Sequence, residues 1–437
     1  MSALTFITCG SVDDGKSTLI GRLLLDSKAI LADQLAAASA HGRLNGTTDA
    51  PDLAAFTDGL QAEREQGITI DVAWRYFSTP TRKFIIGDTP GHEQYTRNMV
   101  TAASHADAAI VMIDATKLDW QNTHLTLLPQ TRRHTLLLQL LKIDAIAFAI
   151  NKLDAVASPA QAFENIQRAV RTFTKAADIG ASAVLPVSAL AGYNVVTRNP
   201  SWAGYDGPCL LEWLESIKTL SPETQGAHAD GTIPTHFSVQ WVETDANPSD
   251  TGSRHSRRTY WGRLASGRLK VGDGLRVSES GQVAVVAALY DTVRQPIEGD
   301  KAQPGRSYGV RLDRELDVSR GDWLRAPEAS VAVSQITAAV AWLDTVPLVV
   351  GATYWALHGN RWTKAKVTAI HHQINIETLA TQPAEQLNAN DIGRISLLFQ
   401  SPLPIHGYAD NPVLGSLILV DTSTHATAGA VMADAVP

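Results

Sequence analysis

Eight residues near the start of the chain match the pattern G-x-x-x-x-G-K-[ST], which is typical of phosphate-binding loops. They are Gly10, Ser11, Val12, Asp13, Asp14, Gly15, Lys16 and Ser17. The pattern follows an apolar run and opens a stretch with helical spacing, so backbone N–H groups and a helix N-terminus can surround a phosphate. We expect Lys16 to reach the β- and γ-phosphates of a nucleotide and the Ser17 hydroxyl to bind Mg²⁺. A glycine-rich turn without a ligand is the alternative for this motif alone.

A second motif, Asp88-Thr89-Pro90-Gly91-His92, follows the apolar run KFIIG. Asp88 is therefore expected at the carboxyl end of a strand, where open α/β sheets bind their ligands. Its carboxylate can hold the Mg²⁺ shell, and the Gly91 N–H can contact a γ-phosphate. By itself the motif would more often be an ordinary turn. Its position after a phosphate-binding loop favours nucleotide binding instead.

The tetrad Asn151-Lys152-Leu153-Asp154 follows a third strand-like run, AIAFAI. In a P-loop protein this tetrad selects guanine, because the aspartate carboxylate accepts from the N1–H and the exocyclic amine that adenine lacks. A wrong base would leave the carboxylate unpaired. Ser188-Ala189-Leu190 follows the run AVLPV and is expected to be a loop that contacts the base. Four motifs in this order, each after a strand, predict a binding site for GTP and Mg²⁺.

Three residues are candidates for the hydrolytic step: Lys16, Thr69 and His92. Thr69, in REQGITI, is the candidate switch threonine, whose hydroxyl completes a metal shell made of Ser17, Thr69 and Asp88. His92 can position the attacking water or stabilise developing charge. A structural threonine and a surface histidine are the alternatives. The polar stretch from about Lys28 to Gln66 is long enough to be a region that orders on GTP binding.

Through the first half of the chain, short apolar runs alternate with longer segments whose apolar residues recur at helical spacing. This alternation predicts a mostly parallel sheet with crossover helices. The predicted strands are 4–9, 83–87, 108–113, 145–150 and 183–187. The predicted helices are Gly15–Asp26, Glu93–Ser104, Pro159–Ala177 and Pro208–Lys218, with Ser158 as the N-cap of the third. The α/β P-loop domain is expected to span residues 1–220.

The pattern changes after residues 221–231, a polar stretch with glycine and proline that predicts a linker. Short segments rich in valine and aromatic residues follow, separated by glycine-containing turns such as SGRLKVGDG. This is typical of antiparallel β structure. We expect one β domain over residues 232–328 and another over residues 329–437.

The composition is that of ordinary globular protein. The chain has 437 residues, of which 44% are hydrophobic and 19% charged, and no apolar run approaches the ~20 residues that a membrane helix needs. Cys9 and Cys209 are too few for a disulfide framework, and no export signal is evident, so we expect a cytoplasmic protein without a membrane partner. The net charge of −7 argues against nucleic acid as a partner.

The motifs together resemble the translation-factor class of GTPases, for which DTPGH and the preceding REQGIT are typical. Elongation factor Tu shares the plan of one GTPase domain and two β-barrels. Longer stretches resemble more narrowly the family of GTPase subunits of bacterial ATP sulfurylase (sulfate adenylyltransferase subunit 1). These are DGLQAEREQGITIDVAWRYF (58–77), GDTPGHEQYTRNMVTAAS (87–104), QTRRH (130–134), LASGRLKVGD (264–273) and DVSRGDWL (317–324).

This resemblance implies a heterodimer or a higher assembly, in which a separate catalytic subunit joins ATP and sulfate into adenosine 5′-phosphosulfate and GTP hydrolysis drives the reaction. The family's nucleotide-binding roles then fall on Gly10, Asp13, Gly15, Lys16, Ser17, Thr18, Asp88, Gly91, His92, Asn151, Lys152, Asp154 and Ser188. Some family members carry a fused adenylylsulfate kinase. No second P-loop motif precedes Pro437, so we expect that activity to be absent from this chain.

Two segments depart from the family pattern: residues 115–129 and an insert around residues 244–262, whose Arg254, Arg257 and Arg258 favour a solvated loop. Two other functions stay open at this point. One is a translation factor that delivers aminoacyl-tRNA or another RNA, although GHEQYTRNM and the acidic balance favour the sulfate-activating enzyme. The other is a GTPase-fold scaffold without turnover. Against it argue the intact residues Lys16, Ser17, Thr69, Asp88 and His92.

Overall fold

The computed structural model describes residues 3–29, 53, 69–218, 234–244, 258–299, 302–329 and 331–435. The chain divides into two compact units. The first comprises residues 1–219 with 375–380, and the second comprises residues 220–374 with 381–437. Most of the predicted switch stretch (30–52 and 54–66), the linker 221–231 and the insert residues 245–257 lie outside the described residues. The proposed domain boundaries at 220, 231 and 328 stay predictions.

The first unit is built around one six-stranded sheet. Its strands are β1 (Ala3–Cys9), β2 (Ala73–Ser78), β3 (Lys83–Asp88), β4 (Ala108–Asp114), β5 (Ala145–Asn151) and β6 (Ala181–Pro186). The strand order is β2-β3-β1-β4-β5-β6, and every pairing is parallel except that between β2 and β3. The predicted mostly parallel sheet is confirmed. β2 is an antiparallel edge strand that was not among the predicted strands.

In the part of this unit that the structure describes, five α-helices accompany the sheet. They are α1 (Lys16–Asp26), α2 (Thr96–Ala103), α3 (Pro129–Leu140), α4 (Pro159–Ala176) and α5 (Leu210–Ser216). The predicted helix from Glu93 begins instead with a 3₁₀ turn, Glu93–Tyr95, and becomes α-helical at Thr96. α4 starts after Ser158 as predicted, but the Ser158 side chain makes no capping hydrogen bond, and Pro159 fixes the first turn. α3 was not predicted.

The core of this unit lies on the faces of the sheet. All seven residues of β4 are buried, as expected for a central parallel strand covered on both sides. Apolar side chains of α1 and α5, among them Leu19, Leu23 and Leu210, pack with Phe6 and Ile110 in one cluster. Helices and strands are thus fixed by the same buried contacts, which leaves the loops at the strand ends free to carry polar groups.

The second unit contains two barrels. The first barrel consists of β7 (His236–Thr244), β8 (Arg258–Ser266), β9 (Gly274–Val277), β10 (Val283–Tyr290), β11 (Ser307–Leu312) and β12 (Trp323–Arg325). It closes in the order β10-β11-β8-β7-β12-β9. Its strand pairings are antiparallel, and a buried cluster that includes Phe237, Tyr260 and Leu324 fills its interior.

The second barrel is formed by β13 (Val333–Trp342), β15 (Thr353–His358), β16 (Arg361–Ile374), β19 (Ile392–Leu403), β20 (Ser416–Val420) and β21 (Thr427–Ala433), with the short helix α6 (Pro412–Gly415) before β20. β17 (Thr381–Gln382) pairs with β16, and β14 (Leu348–Val349) and β18 (Gln386–Leu387) form a separate two-stranded sheet. The strand order of the barrel is β15-β20-β21-β13-β19-β16, and pairing of β15 with β16 closes the ring. The predicted fold class, a P-loop domain followed by two β-barrels, is confirmed.

Buried histidines are a feature of the second unit. The His236 ring lies 3.0 Å from the Ser266 hydroxyl through Nδ1 and 3.3 Å from His406 through Nε2. His358 donates from Nε2 to the Leu414 carbonyl at 2.9 Å. Burial lowers the pKa of His236 to about 3 and that of His358 to about 4. Both imidazoles are therefore neutral in the folded protein at neutral pH.

Within the described part of the chain, no helix combines the length and the apolar character needed to cross a membrane.

Candidate functional site

Strand register brings the four predicted motifs to one edge of the sheet. In the parallel pairing of β1 with β3, Thr8 lies opposite Asp88, and in that of β4 with β5, Asp114 lies opposite Asn151. Within each of these pairs the carboxyl ends lie level, and β4 extends past β1, whose last residue Cys9 lies opposite Val111. β6 pairs with β5 up to Pro186 opposite Ile150. The loops that follow these strands carry the P-loop, the Asp88–His92 motif, the Asn151–Asp154 motif and Ser188.

The P-loop connects β1 to α1 and requires glycine at two positions. Gly10 has a φ of +146° and Gly15 a φ of +93°. A Cβ atom would lie 2.8 Å from the Met112 carbonyl oxygen at Gly10, and 2.4 Å from the Asn151 amide nitrogen at Gly15. Backbone conformation and close packing both exclude a side chain there.

Lys16 lies over the loop with its ammonium turned toward carbonyl oxygens. Its Nζ donates to Ser11 O at 2.7 Å and approaches Gly10 O at 3.4 Å, and the residue is 6% exposed. Burial lowers the pKa of Lys16, whereas the carboxylates of Asp88 and Asp14 oppose that shift. An ammonium held by neutral carbonyl groups can exchange them for phosphate oxygens, which carry charge and bind it more strongly.

Ser17 and Asp88 form a pair of oxygen donors suited to Mg²⁺. The Ser17 hydroxyl donates to Asp88 Oδ2 at 3.0 Å, and the Thr8 hydroxyl donates to Asp88 Oδ1 at 3.2 Å. Thr69 and Ser17 line the same cleft. Mg²⁺ is usually held by one or two carboxylates and completes its shell with other oxygen ligands, water and phosphate. The residues present fit that ion, and no cluster of three or more His, Cys, Asp or Glu able to hold a metal occurs among the described residues.

Gly91 of the second motif packs closely against the P-loop. A Cβ atom on Gly91 would lie 2.6 Å from Lys16 Nζ and 2.8 Å from both Ser11 C and Val12 N. The Thr89 hydroxyl donates to Thr8 O at 2.6 Å and so ties this loop to β1. The loop therefore sits where its backbone can face the end of a bound polyphosphate.

One cleft collects most of these groups. It is lined by Val12, Asp13, Gly15, Lys16, Ser17, Thr18, Thr69, Gly91, His92 and Lys152. The His92 ring stands edge-on to Tyr95, with 6.3 Å between the ring centroids. The predicted catalytic residues Lys16, Thr69 and His92 thus share one cleft, although their roles stay predictions.

Asn151 joins the P-loop to the loop at Ser188. Its Nδ2 donates to Asp14 O at 2.9 Å, and its Oδ1 accepts from Ala189 N at 3.0 Å. Lys152, at a φ of +61°, donates to Asp13 O at 2.7 Å and pairs with Asp114 at 2.8 Å. The tetrad therefore holds both loops together.

The residues expected to contact guanine differ in exposure. Leu153 is fully buried, Ser188 is 1% exposed, and Leu190 is 69% exposed. Asp154 is exposed in the 3₁₀ turn Leu153–Ala155. Neither Asp154 nor Leu190 lines the cleft described above, so selection of guanine by Asp154 stays a prediction.

Several side chains that the motifs did not identify support the site. His134, fully buried on α3, accepts the Gly10 N–H through Nδ1 at 3.1 Å, and burial lowers its pKa to about 3. Arg22 on α1 donates to the carbonyl groups of Ala189, at 3.2 Å, and Leu190. His134 falls within the quoted QTRRH stretch. Nothing in the spacing of the sequence singles out Arg22.

Comparison with known proteins agrees with this architecture and site, which are those of a P-loop GTPase. Residues 1–223 match the family described as elongation factor Tu GTP binding domain, and residues 335–433 match the GTP-eEF1A C-terminal domain-like family. The first match spans half of the chain, so the GTP-binding domain is shown by family as well as by fold.

Relatives that match nearly the whole chain identify the family within this class. The chain is 42% identical to sulfate adenylyltransferase subunit 1 of Laribacter hongkongensis, across 98% of this chain and 84% of the relative. It is 43% identical to the protein of the same name from Citrobacter koseri, across 98% and 86%. It is 41% identical to the bifunctional enzyme NodQ of Rhizobium sp. (strain BR816), of which it spans 65%. The chain belongs to the sulfate adenylyltransferase subunit 1 family.

Proposed function

We propose that this protein is the GTP-hydrolysing regulatory subunit of a sulfate adenylyltransferase. In this proposal a separate catalytic subunit forms adenosine 5′-phosphosulfate from ATP and sulfate, and GTP hydrolysis on this chain drives that unfavourable step during sulfate assimilation. The main support is the 42% identity to sulfate adenylyltransferase subunit 1 across 98% of the chain. The site supports it too, since Lys16, Ser17, Asp88 and Gly91 lie together as GTP binding requires.

Binding of the nucleotide uses groups that already face the cleft. Lys16 exchanges the Ser11 and Gly10 carbonyl oxygens for phosphate oxygens, and the P-loop N–H groups at the start of α1 add partial positive charge. Ser17 and Asp88 are the residues that would hold Mg²⁺, with Thr69 as the third proposed ligand. Bound Mg²⁺ would neutralise charge on the β- and γ-phosphates.

For hydrolysis we propose that His92 positions the attacking water. Lys16 stabilises the negative charge that develops on the phosphate oxygens. Water attacks the γ-phosphorus, the bond from that phosphorus to the β–γ bridging oxygen breaks, and GDP leaves with the electron pair, while the proton that the water loses ends on the inorganic phosphate. Gly91 supports this assignment, because its backbone approaches the P-loop beside Lys16 while His92 lines the same cleft. We further propose that Asp154 contacts the guanine base.

The domain boundaries are also a proposal. We place the P-loop domain at residues 1–220 and the two β-barrel domains at residues 232–328 and 329–437.

The coupling proposal is tested by reconstituting the full chain with a bacterial catalytic subunit of sulfate adenylyltransferase. Adenosine 5′-phosphosulfate formation is measured from ATP and sulfate, with and without GTP. We expect GTP to stimulate the parent complex and to have no effect with Lys16→Ala, because that variant loses the ammonium that binds the phosphates. Lys175→Ala removes an exposed lysine in the last turn of α4 and is the matched control.

Circular dichroism and thermal unfolding establish that Lys16→Ala is folded. Equal stimulation by GTP in the parent and in Lys16→Ala would contradict coupling through this site. GTP-dependent binding of aminoacyl-tRNA, together with no effect on adenosine 5′-phosphosulfate formation, would indicate a translation factor instead.

A further inference from the structure

Lys117 contacts the P-loop from outside the nucleotide cleft. It ends the 3₁₀ turn Ala115–Lys117 after β4 and is not among the residues that line the cleft. Its Nζ lies 3.0 Å from Asp14 Oδ1 and also donates to the Val12 carbonyl. One ammonium therefore joins two groups of the loop that surrounds phosphate.

Asp14 places a carboxylate inside an anion-binding loop. The side chain is 1% exposed, and its Oδ2 accepts the Ser11 N–H at 2.6 Å, which fixes the loop conformation. A negative charge at this position opposes the binding of a polyphosphate unless a cation neutralises it. Asp14 thus stabilises the loop conformation, but its charge disfavours anion binding. Lys117 removes that disadvantage by neutralising the charge.

Few other groups near Asp14 can neutralise its carboxylate. Lys16 also acts on the Asp14 carboxylate, but Lys16 is the residue that must turn to the phosphates. The Cys9 thiol is fully buried, and burial raises its pKa to about 12, so it stays neutral. Lys152 is engaged by Asp13 O and the Asp114 carboxylate. Burial raises the pKa of Asp14, and Lys117 is the largest influence that lowers it.

We propose that Lys117 is a positioning residue for nucleotide binding: it neutralises Asp14 and anchors the Val12 carbonyl, so that the P-loop accepts a nucleoside di- or triphosphate. The inference concerns nucleotide affinity alone and does not depend on coupling to sulfate activation. It also gives a role to one residue of the segment 115–129, which departs from the family pattern.

The test measures the dissociation constant of GDP for the full chain by titration calorimetry, at pH 8 and at pH 6. Lys117→Met keeps the length of the side chain and removes its charge, and because Lys117 is 33% exposed, little packing is lost. We expect the dissociation constant at pH 8 to rise by about tenfold, between the effects of an exposed and a buried ion pair. At pH 6 we expect a smaller rise, because burial and the loss of Lys117 both raise the pKa of Asp14, so the protonated, uncharged fraction of its carboxyl group grows as the pH falls.

Adding Asp14→Asn to Lys117→Met separates neutralisation from packing. The asparagine oxygen can still accept the Ser11 N–H but carries no charge, so affinity is expected to recover most of the loss. Because the GDP phosphate itself titrates near pH 6, the readout is the ratio of the dissociation constants of variant and parent, which is expected to be about the same at both pH values. Lys117→Arg, which retains the charge, is expected to bind GDP more tightly than Lys117→Met. Lys175→Met is the matched control and is expected to bind as the parent does.

Two results would overturn the proposal. One is a Lys117→Met protein with the affinity of the parent at both pH values. The other is a loss of affinity that is independent of pH and is not relieved by Asp14→Asn, since that pattern belongs to lost packing or to the Val12 hydrogen bond alone. A parent chain that binds GDP but fails to stimulate adenosine 5′-phosphosulfate formation leaves this test intact and contradicts only the coupling proposal.

Discussion

Gly91→Ala is the substitution for which the structure gives the sharpest expectation. The added methyl group would meet Lys16 Nζ at 2.6 Å and the P-loop backbone at Ser11 C and Val12 N at 2.8 Å. Gly91 is not among the residues with positive φ. Alanine is therefore compatible with the backbone conformation, and the whole effect comes from the contact.

The size of the effect follows from these distances. Ordinary contacts of a Cβ atom begin at 3.4 Å, so the loop carrying Gly91 and the P-loop must separate by about 0.6 Å or more. Backbone atoms on one side of the contact cannot rotate away as a flexible side chain would. Misplacement of a reacting group by about 1 Å can reduce a rate about 10²-fold. We therefore expect hydrolysis at saturating GTP to fall on the order of 10- to 100-fold.

The assay is phosphate release from GTP, together with the affinities for GTP and GDP from calorimetry. GDP lacks the γ-phosphate that Gly91 is proposed to contact, so its affinity is expected to fall less than that for GTP. Gly180→Ala is the matched control, because nothing lies within 4 Å of a Cβ there and the φ of Gly180 is not positive. Parent-like hydrolysis by Gly91→Ala would refute the steric reasoning.

Two further predictions concern base selection and acid stability. Asp154→Asn is expected to shift preference from GTP toward xanthosine triphosphate, since the amide donates where the carboxylate accepts; competition binding measures this, and an unchanged preference for guanine contradicts the assigned role. In the folded protein the pKa of His236 is lowered to about 3 and that of His358 to about 4, against 6.5 in the unfolded chain. Below pH 6.5 the unfolded state therefore binds more protons than the folded state. The free energy of unfolding consequently falls as the pH drops toward 4. In urea unfolding of the second unit, each histidine contributes a slope of about 1.4 kcal/mol per pH unit in this range; His358→Gln should reduce the slope by one such contribution, and equal slopes in variant and parent would contradict it.

Most of the architecture could be predicted because its signals are local. The runs before Gly10, Asp88, Asn151 and Ser188 are all strands, and polar motifs after them meet at one sheet edge, since parallel strands end together. α3 was missed for a physical reason. Its buried residues include Gln130, Thr131, His134 and Thr135, so the apolar periodicity that identifies a helix is interrupted there.

The amino-acid sequence by itself determined which residues belong to the nucleotide motifs, the alternation of strands and helices that carries them, and the change to β structure in the second half. Tertiary structure alone decided what holds the P-loop in place. Lys117 meets Asp14 across 103 residues of sequence, and His134 meets Gly10 across 124. Contacts of that kind depend on how β4 and α3 pack beside β1, and the direction of a side chain after packing cannot be derived from the spacing of residues along the chain.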